Sequence, residues 1–434
     1  MKQTAFPVAG LVLMVTVACG PPAGPEPITP APSSWVVSWA AATYRAGPLA
    51  RDSVFERGLH DQTVRNVVRL SVGGSQVRVR VSNRVGDRAL SFDAVSIGLG
   101  AGGAALDVTR SYPLTFEGRA EVTIPAGAHA VSDAVALPVD AGDDLLVSLF
   151  ASEATGPVTG HRGGGQSVYL SVAGDHTMAA APAAFPEQAL GWLFLEAVDV
   201  LAPPNVRGAI VALGDSTTIG AASTPDENRR WTDVVARRLA NRVEGEPTFS
   251  IVNVAISGNR VLTDSPCFGE SALARFERDA LGQTGVVAVV VLEGINDLGH
   301  PDGLATASDR FRPCVTAPVV SVDDMTAAYR DLVATARARG VPTYGGTILP
   351  YGGNQVWTRN AEAERQAINR AILSGQLFDG AIDFDAALAD PEDRVRLAPA
   401  FDSGDGLHPT DAGYQAMGDV FDLSLFDPLL TRAR

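Results

Sequence analysis

Three residues in the C-terminal half have the types and spacing for nucleophilic chemistry. Ser216 lies in Gly214-Asp215-Ser216, and His408 closes the run Asp405-Gly406-Leu407-His408. A serine hydroxyl is a poor nucleophile until a base takes its proton. An imidazole titrates near neutrality and can be that base. An acid three residues earlier, Asp405, can orient the ring and stabilise the imidazolium. Attack of such a serine on a carbonyl creates an oxyanion, which needs preorganised donors. The backbone N–H of Ser216, the backbone N–H of Gly258 and the side-chain amide of Asn296 are suitable. Glycine at 258 lets the backbone approach a ligand without a Cβ, and asparagine at 296 supplies a neutral donor that a carboxylate could not.

Each residue also has a plainer reading. Ser216 can cap a helix, Gly258 can serve a turn, and Asn296 can do either. Asp402 rivals Asp405 as the acid. Asp297-Leu298-Gly299-His300 repeats the Asp-x-x-His spacing, so His300 is a second candidate base among only six histidines. His60 and His129 read as surface or packing residues. His161 and His176 flank Gly163-Gly164-Gly165, a segment free enough to reach over a cleft. No cluster has zinc-ligand spacing, so neither a metal nor a cofactor is expected. Lys2 is the only lysine, and it lies in a segment expected to be removed. That excludes a Schiff base, a Ser-Lys dyad and a phosphate-loop lysine.

The elements that must position these residues fall into two textures. Residues 35–202 read as many short strands punctuated by Gly, Pro and Asp, which implies an antiparallel β-sandwich or jelly roll. Residues 63–72 and 76–81, separated by Gly73-Gly74, read as a hairpin. Further strands are expected at 94–99, 121–125, 131–139, 145–151, 167–172 and 193–201, and residues 35–40 can pair with either half. Pro203-Pro204-Asn205 marks a boundary. Beyond it, residues 205–434 alternate apolar runs (209–213, 249–255, 286–292, 341–348, 381–384) with helical patterns (229–243, 271–281, 323–339, 359–373). All-apolar strands alternating with helices indicate a parallel sheet covered on both faces, a three-layer α/β fold. Ligands of such a sheet bind beyond the carboxyl ends of its strands. Ser216, Gly258 and Asn296 each follow one of these runs.

The chain has 434 residues, 46% of them hydrophobic and 19% charged, with a formal net charge of −15. That is enough apolar content for two cores, and the acidity argues against nucleic acid as a partner. Residues 1–19 read as an export signal: Lys2, a short apolar run to Val17, then Val17-Ala18-Cys19-Gly20. The run is too short to span a bilayer. Its end resembles a lipoprotein cleavage site, so Cys19 is an expected lipid anchor and the chain's only expected membrane contact. Residues 20–34 then read as a Pro-rich tether. The remaining cysteines, Cys267 and Cys314, form an even pair that suggests a disulfide in an oxidising compartment.

These blocks (Ser216 in Gly-Asp-Ser, Gly258, Asn296 in Gly-Ile-Asn-Asp, His408 in Asp-Gly-Leu-His) resemble the SGNH hydrolases, also called GDSL esterases. Thr217 stands where one of the family's names has Leu. The resemblance runs from about Arg207 to the C-terminus and is nearest to the secreted, xylan-esterase-like branch with an N-terminal β-domain. It implies a flavodoxin-like sheet and places the Asp-His pair near the C-terminus before a Pro, which favours His408 over His300. It also implies an exported serine esterase that deacetylates extracellular polysaccharide. A lipase, lysophospholipase or arylesterase of the same family is the alternative, and a surface glycan-binding protein with a dead esterase half is a third.

Overall fold

Among the described residues the first half forms twelve strands: β1 (Ser34–Ala40), β2 (Gln62–Arg69), β3 (Val77–Ser82), β4 (Leu90–Phe92), β5 (Ala94–Gly100), β6 (Leu106–Pro113), β7 (Val122–Ile124), β8 (His129–Val131), β9 (Asp144–Ala151), β10 (Gly160–Ala173), β11 (Glu187–Leu193) and β12 (Leu195–Ala202). They form a four-stranded sheet, β1-β12-β3-β8, a six-stranded sheet, β11-β10-β2-β9-β5-β6, and a small pair, β4-β7. The larger pairings are antiparallel. The two main sheets enclose a common core that includes Val64, Val68, Val79, Val81, Val147 and Val198. The computed structural model describes residues 34–45, 47–243, 245–303, 312–315 and 318–430, besides Met1, and Ser33–Arg434 form one compact unit. The expected export signal with Cys19, and all of the expected tether except Ser34, lie outside the described residues.

Three expectations are corrected. The segments 63–72 and 76–81 are not a hairpin: β2 sits in one sheet between β9 and β10, and β3 in the other between β12 and β8. Positions Thr63 to Val68 are all buried, so β2 needs partners on both edges and cover on both faces. Gly73 and Gly74 serve the crossing between sheets, where a Cβ would lie 2.4 Å from the Val139 carbonyl and 2.8 Å from that of Leu201. The expected strand 131–139 shrinks to β8, followed by isolated bridges from Val135 and Val139. The expected strand 193–201 breaks at Phe194, whose φ is 60°, and β11 and β12 go to different sheets. Strand β1, left open by its sequence, pairs with β12 and also touches the second half: Ser250 Oγ donates to the Val37 carbonyl at 2.6 Å and Val37 N–H to Thr284 at 2.9 Å.

After Pro203 the chain enters β13 (Val206–Gly214), then β14 (Thr248–Asn253), β15 (Val286–Leu292), β16 (Thr343–Gly346) and β17 (Gly380–Ile382). These are parallel in the order β14-β13-β15-β16-β17. By strand number this is the 2-1-3-4-5 order of flavodoxin-like folds, whose switch point lies between the first and third strands. Alternate residues of β13 feed two cores. Ile210 and Ala212 pack with Trp231, Tyr414 and Met417, while Val211 and Leu213 pack with Phe276, Tyr329 and Leu332. Helices Trp231–Ala240 and Asp411–Val420 thus cover one face, and Val322–Ala338 and Arg359–Leu373 the other. Fixing both faces of the central strands fixes the strand ends, and Ser216, Gly258 and Asn296 follow just past those ends, while Asp405 and His408 come from the loop before the helix Asp411–Val420.

Candidate active site

The turn after β13 places Ser216. Asp215, not Ser216, caps the short helix Ser216–Ile219: its carboxylate accepts from the Thr217 N–H at 2.9 Å and the Thr217 hydroxyl at 2.8 Å. The Ser216 side chain is thereby released from capping. Its Oγ lies 2.9 Å from Nε2 of His408. His408 Nδ1 lies 2.6 Å from Asp405 Oδ2, and the N–H groups of His408 and Leu407 donate to Asp405 Oδ1 at 2.8 and 2.9 Å. Burial alone would raise the Asp405 carboxyl, but the hydrogen bonds from His408 and Leu407 outweigh it and hold the group well below the usual carboxylate range. Asp405 stays ionised and accepts from Nδ1–H, which leaves Nε2 free to accept the Ser216 proton.

The rivals stand elsewhere. Asp402 accepts from the N–H groups of Gly404 at 2.8 Å and Gly406 at 3.0 Å, and so shapes the turn that carries Asp405. His300 falls on the helix Ile295–Gly303, and its side chain lies outside the described residues. His161 is wholly buried in the β-half, with Nδ1 2.9 Å from the Ala42 carbonyl. The Gly163–Gly165 segment is a bulge in β10, where the pairing with β11 slips. It packs on the nucleophile's helix: a Cβ on Gly164 would lie 2.7 Å from the Trp192 ring and 3.5 Å from Ile219 Cδ1. Arg230 donates to the Gly164 carbonyl, and Asp226 accepts from Ser167 N–H and Oγ.

Gly258 sits at φ +77°, and a Cβ there would lie 2.6 Å from the Phe268 ring. Both the backbone and the packing therefore demand glycine. Asn296 opens the helix after β15, and its amide donates to the Asn259 carbonyl at 2.9 Å, which ties the third-strand loop to the second-strand loop. Asp297 doubles that tie by accepting from Val261 N–H at 2.9 Å and Leu262 N–H at 3.2 Å. The structure thus brings Ser216 and Asp405 each into direct contact with His408, and links Gly258 and Asn296 through Asn259. Cys267 and Cys314 are joined in a disulfide with Cα atoms 5.2 Å apart, beside Phe268. Two cavities, of about 300 and 620 Å³, lie where the halves meet, and neither is lined by Ser216 or His408.

Behind the nucleophile lies a buried polar cluster that residue types alone did not single out. Burial pushes the Asp215 and Asp297 carboxyls up to about 6. Burial, with the charge of Asp215 nearby, holds Glu293 well above the usual range. Burial pushes the His161 imidazole down to about 4. The signs differ. A carboxyl raised on folding contributes stability that is full below its unfolded value near 4 and is lost as pH rises through about 6. A histidine lowered on folding contributes stability present above about 6.5 and lost as pH falls toward about 4. Between pH 5 and 7.5 these contributions oppose. His161→Gln should tilt the stability profile toward acid by about 2 kcal/mol across that range, and Asp297→Asn toward neutral by about 1 kcal/mol. Urea denaturation at the two pH values checks this, and equal tilts in both variants would contradict it.

Residues 212–416 match the GDSL-like lipase/acylhydrolase family, a span that contains Ser216, Gly258, Asn296, Asp405 and His408. Among solved structures, an acetylxylan esterase from Geobacillus stearothermophilus is 22% identical over 52% of this chain and 97% of its own, with a TM-score of 0.37. A GDSL-like lipase from Bacteroides thetaiotaomicron is 16% identical over 51% of this chain and 89% of its own, with a TM-score of 0.36. An alpha/beta hydrolase enzyme from the metagenome of Lake Arreo, Spain, is 22% identical over 51% and 95%, with a TM-score of 0.36. No curated protein matches the chain. The chain thus carries, over residues 212–416, a GDSL-like (SGNH) lipase/acylhydrolase domain, which makes it a carboxylic-ester hydrolase, with a β-sandwich ahead of that domain.

Proposed function

We propose that this protein is an exported serine esterase that removes acetyl groups from extracellular polysaccharide through an acyl-enzyme on Ser216. The observation that carries the reading is the unbroken relay from Asp405 through His408 to Ser216, with contacts of 2.6 and 2.9 Å. His408 takes the Ser216 proton as Oγ attacks the ester carbonyl, then gives it to the leaving alcohol oxygen. The oxyanion is met by the N–H groups of Ser216 and Gly258 and by the Asn296 amide. Water, deprotonated by the same histidine, attacks the acyl-enzyme, and His408 hands that proton to Ser216 Oγ as the acyl–Oγ bond breaks and acetate leaves.

Three features support the substrate class. Asp405 is about half exposed (46% for its side chain), so the relay lies close to the surface, where an ester on a polymer can reach it. The net charge of −15 suits a neutral polymer better than an anionic one. The N-terminal signal and Cys19 support export, with a lipid anchor at the cell envelope or free secretion as the two destinations. For the β-half we propose a cleft-shaping role, because its β10 bulge packs on the helix that carries Ser216. A lipase, lysophospholipase or arylesterase remains the competing activity within the family.

The test is a series of 4-nitrophenyl esters from acetate to laurate, with acetate release measured from native acetylated xylan. The proposal expects kcat/KM to fall by at least about tenfold between acetate and octanoate, a few methylenes being worth that much in a short pocket. Rising activity with chain length would replace it with the lipase reading.

A further inference from the structure

We propose that Arg275 is a positioning residue for the oxyanion hole: one buried guanidinium holds the strand ends and loops that carry Ser216, Gly258 and Asn296 in register. The Arg275 side chain is 0% exposed. Its Nη2 donates to the carbonyl of Gly214 at 3.2 Å, two residues before Ser216. Its Nη1 donates to the carbonyl of Val254 at 2.6 Å, just past β14. Its Nε donates to Oδ1 of Asn259 at 2.8 Å, the residue after Gly258. Nη2 also lies 3.5 Å from Oε1 of Glu293, just past β15. A single planar group therefore touches the ends of all three strands on which the proposed hole is built.

Asn259 carries the constraint onward. Its amide donates to the carbonyls of Phe268 at 2.9 Å and Glu270 at 2.8 Å. Phe268 is the ring that packs on Gly258, and the Asn259 carbonyl receives the Asn296 amide. A shift of Arg275 would move the Gly258 N–H and the Asn296 amide together. Only an arginine can do this, because its fork presents five donors in fixed directions. The local helix is adapted to it: Ala272–Arg275 is α-helical, and the chain widens to a π-helical turn at Phe276–Leu281 directly after the arginine. Such turns recur at functional sites. The pairing with Glu293 fits geometry better than stability. Both Glu293 oxygens are buried and make no hydrogen bond, and Oε1 meets Nη2 only at 3.5 Å. A buried contact of that kind adds little net stability.

This inference rests on the oxyanion-hole reading above, and the experiment separates the two. The full chain is assayed on 4-nitrophenyl acetate, with phenylboronic acid as a tetrahedral mimic, for Arg275→Met, Arg275→Lys, Asn259→Ala and Ser216→Ala. Arg275→Met should lower kcat by about 100-fold, the effect of misplacing a reacting group by about 1 Å, with KM within about threefold. Boronate affinity should fall in step with kcat, because both depend on the tetrahedral state. Arg275→Lys should recover about tenfold of the loss, and Asn259→Ala should lose about tenfold with the same signature. If Arg275→Met does not fold, the lysine and Asn259 variants decide. Folded variants that keep kcat within about threefold, or that change KM alone, overturn the positioning role while an inactive Ser216→Ala leaves the esterase reading intact. An active Ser216→Ala overturns the esterase reading itself.

Discussion

Ser216→Ala should lower kcat for ester hydrolysis by about a million-fold, the scale seen when the nucleophile of a serine triad is removed. The loss is large because Ser216 and His408 act as one unit: with no hydroxyl at 2.9 Å, the histidine has no proton to take. A residual rate should remain, about a thousandfold over water, from what the oxyanion donors and binding still supply. The fold should tolerate the change. Asp215, not Ser216, caps the helix, so deleting Oγ removes no capping bond. Stability should shift by no more than about 1 kcal/mol, the worth of one ordinary hydrogen bond. Circular dichroism and thermal melts establish folding, and hydrolysis of 4-nitrophenyl acetate establishes the rate. A folded variant that keeps more than about a hundredth of the wild-type rate places the nucleophile elsewhere.

The parts of this site that the sequence made legible are those fixed by local rules. Residues 209–213 and 286–292 are continuously apolar, and only a central parallel strand buries both faces of such a run. The residues that follow those runs must emerge at strand ends, which places Ser216 and Asn296 from the sequence alone. Gly258 was legible as a glycine without a Cβ, but the Phe268 ring that also excludes one comes from ten residues further on. The misread elements share one cause: non-local pairing. Gly73-Gly74 has the composition of a hairpin turn, yet β2 is buried on both faces and is claimed by β9 and β10. Phe194 splits an apolar run through a positive φ that no residue preference announces. Strand β4 has three residues, too few to show a period, and no strand was expected there. Arg275 was hidden for the same reason. In sequence it is one polar residue on an amphipathic helix, and its acceptors lie 16 to 61 positions earlier.

Asp405→Asn should lower kcat by about ten-thousandfold while Asp402→Asn lowers it by less than about tenfold, although both acids lie within a few residues of His408. The reasoning turns on a tautomer. In the native protein the Asp405 carboxylate can only accept, so the contact at 2.6 Å requires the proton on Nδ1 and leaves Nε2 bare toward Ser216. An asparagine keeps the backbone bonds through its oxygen and turns its amide toward the ring. The amide then donates to Nδ1, the proton moves to Nε2, and the imidazole can no longer take the serine proton. Neither KM nor the fold depends on that switch, so the loss should fall on kcat alone. Asp402 has a different task. Its Oδ1 receives the N–H groups of Gly404 and Gly406, and it touches neither ring nitrogen of His408. An amide oxygen can receive the same two groups, so Asp402→Asn should cost about 1 kcal/mol of stability at most. Steady-state kinetics and melts on the two variants side by side make the comparison. Equal losses of kcat would mean that turn geometry, not the tautomer of His408, is what Asp405 supplies, and the relay proposed for Ser216 would lose its third member.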